Sequence, residues 1–329
     1  MLPKQPTLKK YHPQFGLSIC LATFFSDATF LGTMEPSQMD LVTTPQASPT
    51  DADILNRVQA VILRQAEGIG KFSSAVPLLF RRALDEVIDS ARTNRLTLDE
   101  LEKTEKTYIG TKIEILFRAF LKLPKGQILD LLADDIEVDI KNTIGSNWTI
   151  PEEAYNHPCV LLKCNEKTAL CSVGLIVVRE EFLNPGRNKD KKATFSDLGR
   201  QNIQWILHDV PYPKNFWESL GPDGTKYIMT PEGGTERMAR LFRRVQRMPI
   251  PRNVIDAVAQ QDDPTRRIRK NGGARDKLAK ERIVILSGEN DSKIIAALSL
   301  PHCTEDEFIS IMPSNDAETA LLRANGHDV

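Results

Sequence analysis

Four residues, Glu114, Asp130, Asp139 and Lys141, combine types and spacing suited to cutting phosphodiesters. The last two sit in the string Val138-Asp139-Ile140-Lys141, which reads as a strand. Alternate side chains of an extended segment share a face, so Asp139 and Lys141 are expected to point one way while Val138 and Ile140 point into a core. Asp130 lies in the preceding apolar run Gln127–Leu132, and Asp134-Asp135 makes a polar turn that would fold this run back on Ile136–Lys141 as a hairpin. Asp130 and Asp139 would then hold one Mg²⁺, with the Ile140 carbonyl and a phosphate oxygen completing a shell of hard oxygen donors. Lys141 can orient or deprotonate an attacking water and offset the charge that builds on phosphorus. Glu114, on a helix before the hairpin, can bind a second ion. The motif is short, and charged residues alternating along a strand also make an ordinary wet face, so the residues alone leave both readings open.

The elements that must carry this set follow from apolar spacing. Ile54, Leu55, Val58, Val61 and Ile62 fit one helical face, and Val76, Leu79, Phe80, Leu84, Val87 and Ile88 fit another. Thr97 and Glu100 form a capping box that is expected to start a third helix, with Glu114 toward its far end or just beyond. Val160–Cys164 and Cys171–Val178 read as strands around the turn Asn165-Glu166-Lys167. The segment from Leu183 to Lys192 reads as a loop, solvated or DNA-facing, and Trp205 is placed on a helix that ends before Pro211-Tyr212-Pro213. Helices followed by a mixed sheet suit a three-layer α/β core.

The string Asp99–Glu114 resembles the segment leading into the active site of the NaeI-type restriction endonucleases, within the PD-(D/E)xK nuclease superfamily. Downstream, Leu241–Val245, Val258–Asp263, Arg267–Arg269 and Gly272–Arg275 resemble that family's second domain, and the similarity runs in order over about residues 51 to 300. The resemblance implies a restriction-endonuclease-like mixed-sheet core with Glu114, Asp130, Asp139 and Lys141 as its active centre, and Mg²⁺ as cofactor. Where the family usually has Cys or another residue, this chain has Ile140; only its backbone carbonyl would face the metal. The resemblance also implies type IIE behaviour, in which the second domain binds another DNA site and activates cleavage by the first. A palindromic target cut on both strands implies a homodimer.

The second half differs in charge. From Glu236 to Arg282 there are 14 Lys and Arg against 6 Asp and Glu, although the whole chain carries −1. A solvated Arg-rich helix would explain one such cluster, but here the cations punctuate a helix-turn-helix outline. Arg252–Gln261 reads as a helix, Asp263-Pro264 as a cap, Asn271-Gly272-Gly273 as a turn, Ala274–Lys280 as a further helix, and Ile283–Leu286 as a strand beginning a wing. In this winged-helix-like arrangement Arg266, Arg267, Arg269, Lys270 and Arg275 are the candidate DNA contacts. The expected organisation is an N-terminal extension over 1–50, disordered or upstream of a true start at Met34 or Met39; a catalytic domain over 51–206; a linker over 207–215; and a winged-helix-like effector domain over 216–329.

Composition is compatible with this and excludes rivals. The chain of 329 residues is 41% apolar and 26% charged, enough for two domains with separate cores. The patch Phe15–Leu31 is too short and too broken to span a membrane. Five cysteines without a Cys-x-x-Cys pair argue against a disulfide framework or structural zinc, and His157 with Cys159 reads as core filling rather than a ligand pair. A cytoplasmic, nucleoid-associated protein is expected. No nucleotide-binding loop exists, since Gly68-Ile69-Gly70-Lys71 is too short, and no Gly-x-Ser-x-Gly elbow exists. Lys103 and Lys106 lack the neighbours of a nucleotidyl-lysine motif and read as structural or phosphate-contacting. The alternatives left are a DNA-binding regulator and a mismatch-repair nickase on the same fold.

Overall fold

Helix α1 (Asp51–Gln65) opens at Thr50, whose hydroxyl accepts from the Asp53 N–H while the Asp53 carboxylate accepts from the Thr50 N–H. The computed structural model describes residues 50–329, so the expectations for the first 49 residues, Cys20 and the Phe15–Leu31 patch included, lie outside the described residues. Leu55, Val58, Val61 and Ile62 form the buried face of α1. Helix α2 (Ile69–Ile88) buries the face that its spacing predicts, and the single turn α3 (Ser90–Thr93) follows. The Thr97–Glu100 capping box starts only a 3₁₀ turn, because buried Leu101 is extended and breaks the helix there. Helix α4 (Lys103–Leu121) begins afresh with its own box between Glu102 and Glu105, which puts Glu114 in the second half of α4, toward its far end and not beyond it.

Strands β1 (Leu131–Ala133) and β2 (Ile136–Thr143) form the expected hairpin around Asp134-Asp135, but Gln127–Asp130, expected as part of the first strand, is a bend, so Asp130 lies just before β1 rather than on it. After β3 (Thr149–Ile150) come β4 (Pro158–Asn165) and β5 (Leu170–Val177), then β6 (Ala193–Thr194), the short α5 (Asp197–Gln201) and β7 (Gln204–Pro211). The main sheet runs β1-β2-β4-β5-β7, with β2 and β4 parallel and the other neighbours antiparallel, and β3 pairs with β6 apart from it. Trp205 therefore lies on an outer strand, not a helix, and residues 207–211, expected as linker, belong to the sheet. Gly174 explains the placement: a Cβ there would strike Ile203 and Trp205, so these two side chains lie over the bare backbone of β5. Pro211 ends an outer strand, where a missing donor is tolerated.

Register assigns the faces. Ile140 lies beside Val160, and this face packs with α1, α2 and α4 into one core. Asp139 lies beside Cys159 and Lys141 beside Leu161, so the charged pair shares the opposite face. That face carries a second core of Trp148, Ile150, Cys159, Leu161, Ile176 and Phe195.

The C-terminal half comprises α6 (Phe216–Met229, kinked at Gly221), α7 (Gly234–Arg244), α8 (Arg252–Ala259), α9 (Ala274–Ala279), β8 (Val284–Ser287), α10 (Gly288–Ala297), β9 (Phe308–Ile311) and α11 (Asp316–Ala324). Helices α6 to α9 share one core, and the antiparallel pair β8–β9 has another with α10 and α11. The expected wing strand is β8, but its partner arrives only after a helix, not through a tight turn. All described residues belong to one compact unit. Among them no helix is long and apolar enough to cross a membrane.

Candidate active site

Strand β1 pairs only with Ile136–Val138, so the edge of β2 from Asp139 onward has no strand on that side. Asp130, immediately before β1, takes over the edge: its Oδ2 accepts from the Ile140 N–H at 3.0 Å. The same N–H lies 3.0 Å from Asp139 Oδ1, so two carboxylates share one donor. Lys141 Nζ lies 2.7 Å from Asp139 Oδ1, 3.1 Å from the Ile140 carbonyl oxygen and 3.8 Å from Asp130 Oδ2. Asp130, Asp139, Lys141 and the Ile140 carbonyl thus meet in one place.

Glu114 comes from α4 and is within electrostatic reach of this group. Burial, then the Asp130 charge, push its carboxyl up to about 7, against the opposing pull of Lys141. Asp139 is pushed up to about 6, first by burial and then by Asp130, with Lys141 again opposing. Burial works against the charge of Lys141, but the Asp139 carboxylate outweighs it and holds the amine protonated. Its suitable role is therefore that of a fixed ammonium, which orients and neutralises.

Asp139 is only 3% exposed, and its Oδ2 is buried without a hydrogen-bond partner. An oxygen stripped of water and given no donor is costly as a bare carboxylate and is relieved by a proton or a cation. Among the described residues no three His, Cys, Asp or Glu side chains converge as a metal cage. The donors here are two aspartates and a main-chain carbonyl, a set that suits a hard cation keeping part of its water.

Two supports of this site are not visible in the spacing. Arg118 on α4 donates to the backbone oxygen of Asp130 at 3.2 Å. Glu137 accepts from the N–H groups of Gln127 at 2.6 Å and Leu129 at 3.0 Å, which fixes the turn that delivers Asp130. The only signal for Glu137 is its position two residues before Asp139, on the same face of the strand. Cys159 is fully buried on the face of Asp139 and Lys141.

Residues 60–319 match the model of the restriction endonuclease NaeI family. The chain belongs to that family. It is 31% identical over 277 residues to the type II restriction enzyme NaeI of Lentzea aerocolonigenes, an alignment covering 81% of this chain and 86% of that protein. Membership of the NaeI family makes it a type II restriction endonuclease, whose substrate class is double-stranded DNA.

The candidate DNA contacts of the C-terminal half lie apart from the candidate catalytic set in sequence and core. Arg266, Arg269 and Lys270 are exposed around the 3₁₀ turn Pro264–Arg267, with Arg269 3.6 Å from Asp263 and Lys270 3.2 Å from Asp328. Arg267 is engaged internally, donating to Gln261 Oε1 at 2.5 Å and to Thr235 Oγ1 at 3.5 Å. Arg275 is half-buried on α9, and burial lowers its pKa despite the opposing charge of Asp291.

Proposed function

We propose that the protein is a Mg²⁺-dependent, sequence-specific endonuclease that hydrolyses both strands of DNA at the Asp130–Asp139–Lys141 site. The observation that carries this reading is the buried, unpartnered Oδ2 of Asp139 beside a protonated lysine on an open strand edge. Asp130, Asp139 and the Ile140 carbonyl would hold the ion, with Glu114 able to hold a second. Magnesium bound there supplies Lewis acidity toward the scissile phosphoryl group. Lys141 positions the attacking water and offsets the charge gathering on the non-bridging oxygens. Where Glu114 holds no second ion, its carboxyl, held above the ordinary range by burial and the Asp130 charge, can take the proton that the water gives up.

The C-terminal half is, on this reading, a winged-helix-like effector domain that binds a second DNA site, with Arg266, Arg269 and Lys270 as exposed phosphate contacts and Arg267 and Arg275 as inner ones. Cleavage of both strands would be performed by a homodimer acting in the cytoplasm. The test is digestion of plasmid and phage DNAs by purified protein with and without Mg²⁺, alongside Asp139→Ala. Discrete Mg²⁺-dependent fragments, absent with the variant, support the reading. No cleavage beside retained, salt-sensitive binding moves the protein to a DNA-binding regulator.

A further inference from the structure

The segment Asn184–Lys192 is a loop without strands of its own, closed into a hairpin by backbone hydrogen bonds, with residues 185–191 exposed and Lys192 half-buried. Asn184 N donates to the Thr194 oxygen at 2.8 Å and Asn188 N to the Lys192 oxygen at 2.9 Å, which carries the pairing of the chain outward from β6. Asn188 Oδ1 accepts from the N–H groups of both Asp190 and Lys192 at 2.9 Å. Arg187 lies over the Tyr155 ring, 5.9 Å from its centroid, and donates to the Asn184 oxygen. Such bracing removes conformational entropy in advance of any contact.

Its location follows from register. The hairpin grows from the layer of Trp148, Leu183, Ala193 and Phe195, which packs on Cys159 and Leu161. Those two residues are the lateral neighbours of Asp139 and Lys141, so hairpin and catalytic pair stand on the same face of the main sheet.

Its charge is out of keeping with its half of the chain. Residues 51–212 hold 22 Lys and Arg against 24 Asp and Glu, yet four of the 22, Arg187, Lys189, Lys191 and Lys192, fall in this hairpin beside a single acid, Asp190. The nearby Arg179 and Arg200 are each paired with an aspartate, Asp51 and Asp197. The hairpin cations have no carboxylate partner among the described residues. An acidic half that must admit a polyanion needs its attraction concentrated where the backbone passes.

We propose that Lys189, Lys191 and Lys192 form a phosphate clamp of the catalytic half, gripping the duplex backbone beside the scissile phosphate. The inference rests on the nuclease reading above, but its test does not use cleavage. Binding of a fluorescein-labelled mixed-sequence 40-base-pair duplex would be followed by anisotropy in EDTA, across salt, for the native protein, Lys189→Ala/Lys191→Ala/Lys192→Ala, and the corresponding triple Lys→Arg variant. The alanine variant is expected to flatten the slope of log affinity against log salt by about 2 to 3, at roughly 0.9 per neutralised phosphate. The arginine variant is expected to keep the native slope. An unchanged slope in the alanine variant, or a loss that arginine does not restore, overturns the clamp. Failure of the native protein to cut DNA in Mg²⁺ would instead overturn the nuclease reading, while the slopes still report on the hairpin.

Discussion

Glu137 and Leu129 are joined by a hydrogen bond of 3.0 Å from the Leu129 N–H to the Glu137 carboxylate, and this bond sets where Asp130 begins. The same carboxylate also holds Gln127. A residue that touches no reacting atom therefore decides whether one metal-ligand candidate is in place.

Glu137→Ala should lower the rate of plasmid cleavage by about ten- to a hundredfold, the usual scale for losing a support behind a ligand. Glu137→Gln, which keeps one acceptor, should fall between. Cleavage kinetics across a Mg²⁺ titration would check this: a displaced Asp130 raises the Mg²⁺ needed for half-maximal rate, and an unchanged Mg²⁺ requirement would count against the support role.

Metal-free protein should lose stability as pH rises. The folded-state carboxyls of Glu114 and Asp139 are raised to about 7 and about 6, above their ordinary 4.5 and 3.8. The fold thus favours their protonated forms, and the associated stability is present below about pH 4 and lost as pH climbs through 6 and 7. Because a cation needs the deprotonated groups, the increase in melting temperature on adding Mg²⁺ should grow over the same window. Equal Mg²⁺-induced shifts at the two ends of that window would contradict the assignment.

Lys141→Ala should separate binding of the ion from catalysis. Its ammonium is 2.7 Å from Asp139, so removing it leaves the carboxylates less compensated and should lower the Mg²⁺ concentration needed for thermal stabilisation. Cleavage should fall by about 10²- to 10⁴-fold, the scale of losing a positioned catalytic group. A variant that binds Mg²⁺ more weakly would place Lys141 in a merely structural role.

In the other half, Arg266→Ala/Arg269→Ala/Lys270→Ala should weaken duplex binding and flatten its salt dependence by about 0.9 for each phosphate that is no longer neutralised. Arg267→Ala should differ, because its guanidinium is already engaged by Gln261 and Thr235. Its expected signature is a lower melting temperature with a smaller change in slope.

The parts of this protein legible in its sequence are those governed by neighbours along the chain. The hairpin at Asp134-Asp135, the buried faces of α1 and α2, and strands β4 and β5 all follow from local period and turn chemistry. Trp205 reads as helical, and wrongly so, because β7 pairs irregularly with β5, with shifts between Cys171 and Gly174, and what seats the indole is the missing side chain of Gly174 on another strand. The start of the third helix is misleading in sequence because two capping boxes follow one another, and only the burial of Leu101 separates them. Within the site, Asp130, Asp139 and Lys141 are readable from spacing. Arg118 and Glu137 are not, since each acts on backbone brought to it by the fold.

Ile140 occupies the middle of the candidate catalytic string, with its side chain in the helix-facing core and its carbonyl oxygen 3.1 Å from Lys141 Nζ. Selection on this position is consequently split between two independent demands. On the helix side the demand is for an apolar side chain of the same volume; on the site side it is for backbone alone, the carbonyl near Lys141 and the N–H that Asp130 and Asp139 share, so apolar replacements that keep a backbone N–H leave the chemistry untouched.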